Sequence, residues 1–276
     1  MTDESGSLED LVALLRGRAV TVLTGAGIST ESGIPDYRGP QTRHKPRNPI
    51  QHRQFVSDAA VRQRYWARAT VGWPRFAAAQ PNAGHHAVAA LQRAGRMTGL
   101  ITQNVDRLHQ AAGAEALELH GTLHEVICLS CGATEPRASV HARMVERNEG
   151  FVAHVETVAP DGDVDIDPDA TARFDVAPCL ACGGPLKPHV VFFGGSVPKA
   201  TVDAAYAMVE RGGALLVVGS SLTVFSGYRF VRRASERGIA VGILNLGATR
   251  GDPHADVRVD AVAGELLPPL VQALVD

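Results

Sequence analysis

Six stretches of the chain are near-continuous in apolar residues over the length of a strand. They are "AVTVLTG" from Ala19, "MTGLITQN" from Met97, "ALELHG" from Ala116, "GALLVVGSS" from Gly213, "AVGILNLG" from Ala240 and "ADVRVDA" from Ala255. Runs of Val, Ile and Leu without polar alternation predict parallel strands buried on both faces. Segments of helical period lie between several of them: "NAGHHAVAALQRAG" from Asn82, "KATVDAAYAMVERG" from Lys199 and "SGYRFVRRASERG" from Ser226, the last two stopping at Gly. Strands alternating with helices predict an α/β fold, a Rossmann-like doubly wound parallel sheet.

Two insertions interrupt this pattern. Around residues 40–80, Pro40, Pro46, Pro49, Pro74 and Pro81 surround a helical piece, "SDAAVRQRYWARATVGW". Residues 122–188 separate the third strand from the extended run "VVFFGG". The predicted division is a nucleotide-binding domain of residues 1–39, 81–121 and 189–276, with 40–80 and 122–188 forming a smaller module. Within the second insertion Asp161, Asp163, Asp165, Asp167 and Asp169 alternate as in the opening of a calcium loop. Such a loop needs Gly at its sixth place, where Ile166 stands, so a solvated acidic loop over 156–176 is expected instead.

The 276 residues, 45% of them hydrophobic, are enough for a large core. A net charge of −2 gives no basic field for nucleic acid or an anionic membrane, although 24 Arg stand against Lys45, Lys187 and Lys199 alone. The first residues, "MTDESGSLED", are acidic and lack an apolar run, and no stretch of roughly 18 apolar residues occurs. A cytoplasmic protein is expected. The four cysteines fall in two pairs, "CLSC" (Cys128, Cys131) and "CLAC" (Cys179, Cys182), each followed by Gly. Two C-x-x-C knuckles predict one tetrahedral zinc ion, with redox-active thiols as the alternative. Four thiolates leave no position for water, so the ion is structural.

The candidate chemistry lies at the strand ends. Gly25 and Gly27 follow the first strand as in a nucleotide-binding turn, yet Thr30 stands where a hydride-transfer G-x-G-x-x-G keeps its third Gly. Gln103, Asn104 and Asp106 follow the second strand, His120 the third, Gly219, Ser220 and Ser221 the next, and Asn245 the one after. One such group is ordinary capping. Four at successive strand ends point to a ligand at the sheet edge. His120 is the candidate general base. Neither a G-x-S-x-G elbow nor an unpaired cysteine supports acyl-enzyme chemistry.

In order, "GAGISTESGIPDYRG", "TQNVDRLHQAAG", "ELHG", the four-Cys module, "LKPHVVFFGG", "VVGSSL" and "ILNLG" resemble the signature segments of the sirtuins, the NAD-dependent protein deacylases. The resemblance spans roughly residues 8–270. "RQRYWARATVGWPRF", "APDGDV", "SGYRF" and "GELLP" are similar to the class II, sirtuin-4-like branch, and a bacterial source fits.

The resemblance implies that Gly25, Ala26, Gly27, Ile28, Asp36, Tyr37 and Arg38 enclose NAD. It implies that Gln103, Asn104, Val105 and Asp106 bound its ribose and nicotinamide pocket, with Asn104 and Asp106 needed for catalysis. Gly219, Ser220, Ser221, Asn245, Leu246, Gly247 and Ala263 then hold the adenosine half. NAD is a consumed co-substrate: an acyl-lysine oxygen attacks ribose C1′ as nicotinamide departs, His120 deprotonates a ribose hydroxyl, and water releases lysine and O-acyl-ADP-ribose. Val191, Phe192, Phe193 and Gly194 pair with the backbone of the acyl-lysine protein substrate. Tyr65 and Arg68 have the Y-x-x-R spacing that holds an acidic acyl end in related deacylases; the alternative is a helix with Tyr packed and Arg solvated. Two other functions remain open at this point: protein mono-ADP-ribosyl transfer at the same site, and a non-catalytic NAD-sensing zinc module.

Overall fold

The computed structural model describes residues 5–37, 50–151, 164 and 171–276. Arg38 and most of the acidic loop expected over 156–176, residues 156–163 and 165–170, lie outside them.

All six predicted apolar runs are strands of one parallel sheet. They are β1 (Val20–Thr24), β2 (Met97–Thr102), β3 (Leu117–Glu118), β7 (Ala214–Val218), β8 (Ala240–Leu244) and β9 (Val257–Val259), in spatial order β3-β2-β1-β7-β8-β9. Alternate residues serve two separate cores. Val20 and Val22 of β1, Leu216 and Val218 of β7, and Leu244 of β8 face helices α1 (Leu8–Leu15), α4 (Ala83–Arg93) and α9 (Ala263–Val275). Leu23, Leu215, Val217, Val241 and Ile243 face the other way, against α7 (Lys199–Arg211) and α8 (Phe225–Glu236). Helices cover both faces, as near-continuous apolar strands require. Strand order runs outward in opposite directions from the β1–β7 pair, so a crevice opens there at the carboxyl ends of the strands.

A second sheet, antiparallel, is built from β4 (Gly121–Cys128), β5 (Thr134–Pro136) and β6 (Leu186–Val190) in the order β5-β4-β6. Helices α2 (His52–Ser57), α3 (Ala59–Ala77) and α6 (Arg137–Arg147) share a core with it, through Phe55, Trp66, Val126, Val140, Met144 and Leu186. Trp66 donates its indole N–H to the carbonyl of Leu186 at 2.9 Å, which fixes α3 on β6. Arg137 is almost wholly buried between the rings of Trp66 and Trp73, 4.8 and 5.0 Å from their centroids, an arrangement that offsets part of the cost of burying its charge.

The run "VVFFGG" is less regular than its composition predicts. Strand β6 ends at Val190; the Val191 N–H then turns to the carbonyl of His120 at 2.8 Å, and Phe193 bridges Gln51 ahead of α2. The turn at the first glycines runs into a 3-10 helix, Ala26–Ser32, closed by Gly33 in the left-handed region.

Candidate functional site

The two loops that flank the crevice interlock through their glycines. Gly25 N–H donates to the Val218 carbonyl at 3.0 Å, and Gly27 N–H to the Gly219 carbonyl at 2.8 Å. A Cβ on Gly27 lies 2.8 Å from Gly219 Cα, and one on Gly219, whose φ is +61°, lies 2.5 Å from the Ile28 nitrogen. Only glycine permits both that approach and that backbone angle. The glycines of the first loop therefore set the crevice floor against the end of β7.

Beneath this floor lies a buried polar network. Ser29 donates to Asp106 Oδ2 at 2.7 Å and accepts from Asn104 Nδ2 at 3.0 Å. Asp106 Oδ1 accepts the Leu108 N–H at 3.0 Å; burial pushes this carboxyl above the ordinary range while those two donors oppose it. His85 Nε2 lies 3.4 Å from Ser29, and its Nδ1 accepts the Asn82 N–H, so one histidine caps α4 and completes the network. His109 Nε2 sits 2.9 Å from Thr24 Oγ1, which in turn donates to Thr102. Sequence reading passed over Ser29, His85 and His109: the first two look like loop and cap residues, and their convergence depends on three elements far apart in the chain.

Burial lowers His85 to about 4 and His109 to about 3, so both are neutral at pH 7. Each folded-state value lies below the unfolded one of about 6.5. The unfolded chain then binds more protons as pH falls through 6.5, and stability declines until the folded values are reached, by up to about 1.4 kcal/mol per pH unit for each histidine. Chemical denaturation between pH 7 and 4.5 is expected to show this slope, and a His109→Asn variant a shallower one.

His120 stands at the end of β3, where sequence pattern puts it. Its Nδ1 is 2.9 Å from the Gln103 carbonyl and its Nε2 2.7 Å from Ser226 Oγ. A carbonyl only accepts, so Nδ1 carries the proton and Nε2 presents its lone pair. Burial lowers the imidazole from its ordinary value, opposed by the Gln103 carbonyl, and favours the neutral base. Gln103 also accepts from Ser220 Oγ at 2.6 Å, joining the β2 end to the β7 end.

The other predicted residues distribute as follows. Val105 packs with Ile34, Trp73 and Phe76, and Ile28 is wholly buried on the sheet side. Asn245 holds the Leu246 and Gly247 carbonyls with its side-chain amide, and Leu246 is half exposed. Ala263 opens α9, whose Gly264 N–H donates to Glu31 at 2.9 Å; Ser221 pairs with Thr223. The Tyr37 ring lies edge-on to Phe193 at 6.1 Å, with Asp36 beside it in sequence. Tyr65 is 2% exposed, with its ring edge-on to those of Phe55 and Phe192, both 5.4 Å away. Arg68 donates to the Val164 carbonyl.

The sulfurs of Cys128, Cys131, Cys179 and Cys182 all lie within 4.8 Å of one another, with separations of 3.5 Å for Cys128–Cys182 and 3.8 Å for Cys131–Cys179. A disulfide requires about 2.05 Å. Four thiolates about 2.3 Å from one ion lie about 3.8 Å apart at the corners of a tetrahedron. The donor set and its spacing fit structural zinc, which these four residues hold without leaving an open coordination position.

The model of the Sir2 family matches residues 25–226, which include both glycine loops, the polar network, His120 and the cysteine cluster. The chain belongs to the Sir2 family. It is 52% identical over 99% of its length to "NAD-dependent protein deacetylase 1" of Mycobacterium avium, covering 98% of that protein. It is 47% identical over 91% of its length to the human mitochondrial "NAD-dependent protein lipoamidase sirtuin-4", covering 81% of it. Among solved sirtuins, a Sir2 protein bound to an acetylated peptide superposes with a TM-score of 0.77 at 27% identity, over 97% of this chain and 98% of the other. A Sir2 complex with a peptide and NAD+ gives 0.78 at 28%, with the same coverage. Among its described residues this sirtuin has no helix long and apolar enough to cross a membrane.

Proposed function

We propose that this sirtuin is an NAD-dependent protein lysine deacylase that consumes NAD, releasing nicotinamide and O-acyl-ADP-ribose. The observation that carries the reading is a neutral imidazole, His120, fixed with its Nδ1–H on the Gln103 carbonyl and its Nε2 beside Ser226, at the carboxyl end of a sheet whose neighbouring loops interlock through glycines. A base without a nearby cysteine or elbow serine suits deprotonation of a ribose hydroxyl, and Thr30 disfavours hydride transfer.

The assignment of residues follows the motifs that the chain shares with the family. Gly25, Ala26, Gly27, Ile28, Asp36 and Tyr37 enclose the diphosphate and nicotinamide ribose. Asn104 and Asp106, tied together through Ser29, orient the scissile end. Ser220, Ser221, Asn245, Leu246, Gly247 and Ala263 take the adenosine half. The substrate backbone lies along Val191–Gly194, and the acyl-lysine passes Phe192 toward Tyr65 and Arg68; the contact between the Phe192 and Tyr65 rings supports that path. On the same reading, residues 1–39, 81–121 and 189–276 are the NAD-binding domain, and the zinc module of 122–188 with the helices of 40–80 forms the wall across the cleft. Four cysteines kept as thiols suit a reducing cytoplasm.

The test is nicotinamide release from NAD with a panel of acyl-lysine peptides, acetyl through glutaryl and hydroxymethylglutaryl. Release that requires an acyl peptide is expected, with Arg68→Ala depressing acidic acyl groups more than acetyl. Release independent of any acyl peptide points instead to ADP-ribosyl transfer, and equal losses on all peptides remove Arg68 from acyl recognition.

A further inference from the structure

Ser226 is the second residue of α8, and its hydroxyl makes the 2.7 Å contact to His120 Nε2. The imidazole already spends its Nδ1 proton on Gln103, so Ser226 is the donor and the lone pair of the base is taken. Gly227, next in the helix, lies so close to Gln103 that a Cβ there comes within 2.4 Å of Nε2. Gln103 is itself clamped by Ser220 from the neighbouring loop. A larger residue at 227 has to displace the Gln103 side-chain amide from its place against the helix start. Ser226, His120 and the Gln103 carbonyl thus form a hydroxyl, a base and an orienting acceptor, each in hydrogen-bond reach of the next.

A substrate hydroxyl that approaches Nε2 therefore meets the oxygen of Ser226 first. We propose that Ser226 relays the proton: as the ribose O–H bond breaks, its proton passes to Ser226 Oγ while the proton of Ser226 passes to His120 Nε2. The serine ends unchanged, the imidazole gains one proton, and the ribose oxygen is left with the electron pair it uses to attack the acyl-derived carbon. No further reactant is needed. The relay rests on the deacylase reading of His120 and deepens it by naming the hydroxyl between base and substrate.

The experiment compares two rates in the full-length zinc-loaded protein: exchange of labelled nicotinamide into NAD in the presence of acyl peptide, which precedes proton transfer, and formation of deacylated peptide. Ser226→Ala is expected to leave exchange and NAD affinity near wild type while slowing deacylation by about tenfold or more, a share of the full effect of a general base. Ser226→Thr, which keeps the hydroxyl, is expected to retain both rates. Ser226→Gly also removes the hydroxyl without adding another proton donor and is expected to show the same split as alanine, which covers the case of an alanine variant that does not fold. Deacylation by Ser226→Ala within twofold of wild type overturns the relay, as does a parallel loss of exchange, deacylation and NAD affinity, which marks a structural role. His120→Ala run alongside separates the two claims: if it deacylates normally the base assignment itself fails, whereas an inactive His120→Ala beside a fully active Ser226→Ala removes the relay alone.

Discussion

Replacing His120 with alanine is expected to lower deacylation by about 10²–10⁴-fold while leaving NAD affinity within a few fold of wild type. His120 contributes one lone pair, held in a single tautomer by the Gln103 carbonyl, and burial keeps that nitrogen unprotonated near neutral pH. The glycine loops that floor the crevice do not use the imidazole, since their contacts run from Gly25 to Val218 and from Gly27 to Gly219. Truncation therefore removes the base without removing the floor. Equilibrium titration with NAD, paired with turnover, checks the split; a large loss of NAD affinity with turnover preserved at saturating NAD contradicts it.

Withdrawal of zinc is expected to have the largest effect on stability. Cys128 and Cys179 are buried members of the small core, alongside Val126, Val140 and Leu186, so the ligands and the apolar cluster are one unit. The ion joins a knuckle at the end of β4 to one some fifty residues further on, closing that loop beside the β4–β6 pairing of Cys128 with Leu186. Structural zinc supplies about 10–16 kcal/mol in small metal-dependent domains. A strong chelator, or Cys128→Ser, is expected to open residues 121–190 to proteolysis and abolish deacylation while much of the parallel sheet persists. Metal analysis is expected to return one zinc per chain; an unchanged proteolysis pattern after metal removal contradicts a structural role.

The parallel sheet was legible because its strands are buried on both faces, which leaves unbroken apolar runs such as "GALLVVGSS". The antiparallel strands β4 to β6 were not: "GTLHEVIC" carries His124 and Glu125 on partly open positions, and its burial comes from α3 and α6, neither of which its own sequence reveals. Gly25 and Gly27 were readable as a nucleotide turn, but their second duty, close packing on Gly219, required knowledge that β7 lies beside β1. The Y-x-x-R pair illustrates the same limit. Spacing alone places Tyr65 and Arg68 one turn apart on a helix, whereas only the folded chain shows Tyr65 packed on Phe192 and Arg68 turned toward Val164. Ser226 carries no signal in sequence, since a serine near a helix start reads as capping.

The central claim is that NAD is consumed in stoichiometric exchange for an acyl group. The most direct measurement is product analysis after one incubation with NAD and an acyl-lysine peptide, counting nicotinamide, free lysine peptide and O-acyl-ADP-ribose by mass spectrometry. Equal amounts of all three, absent in His120→Ala, are the expected result. Nicotinamide formed with ADP-ribose attached to protein, or peptide deacylated without NAD loss, contradicts the account.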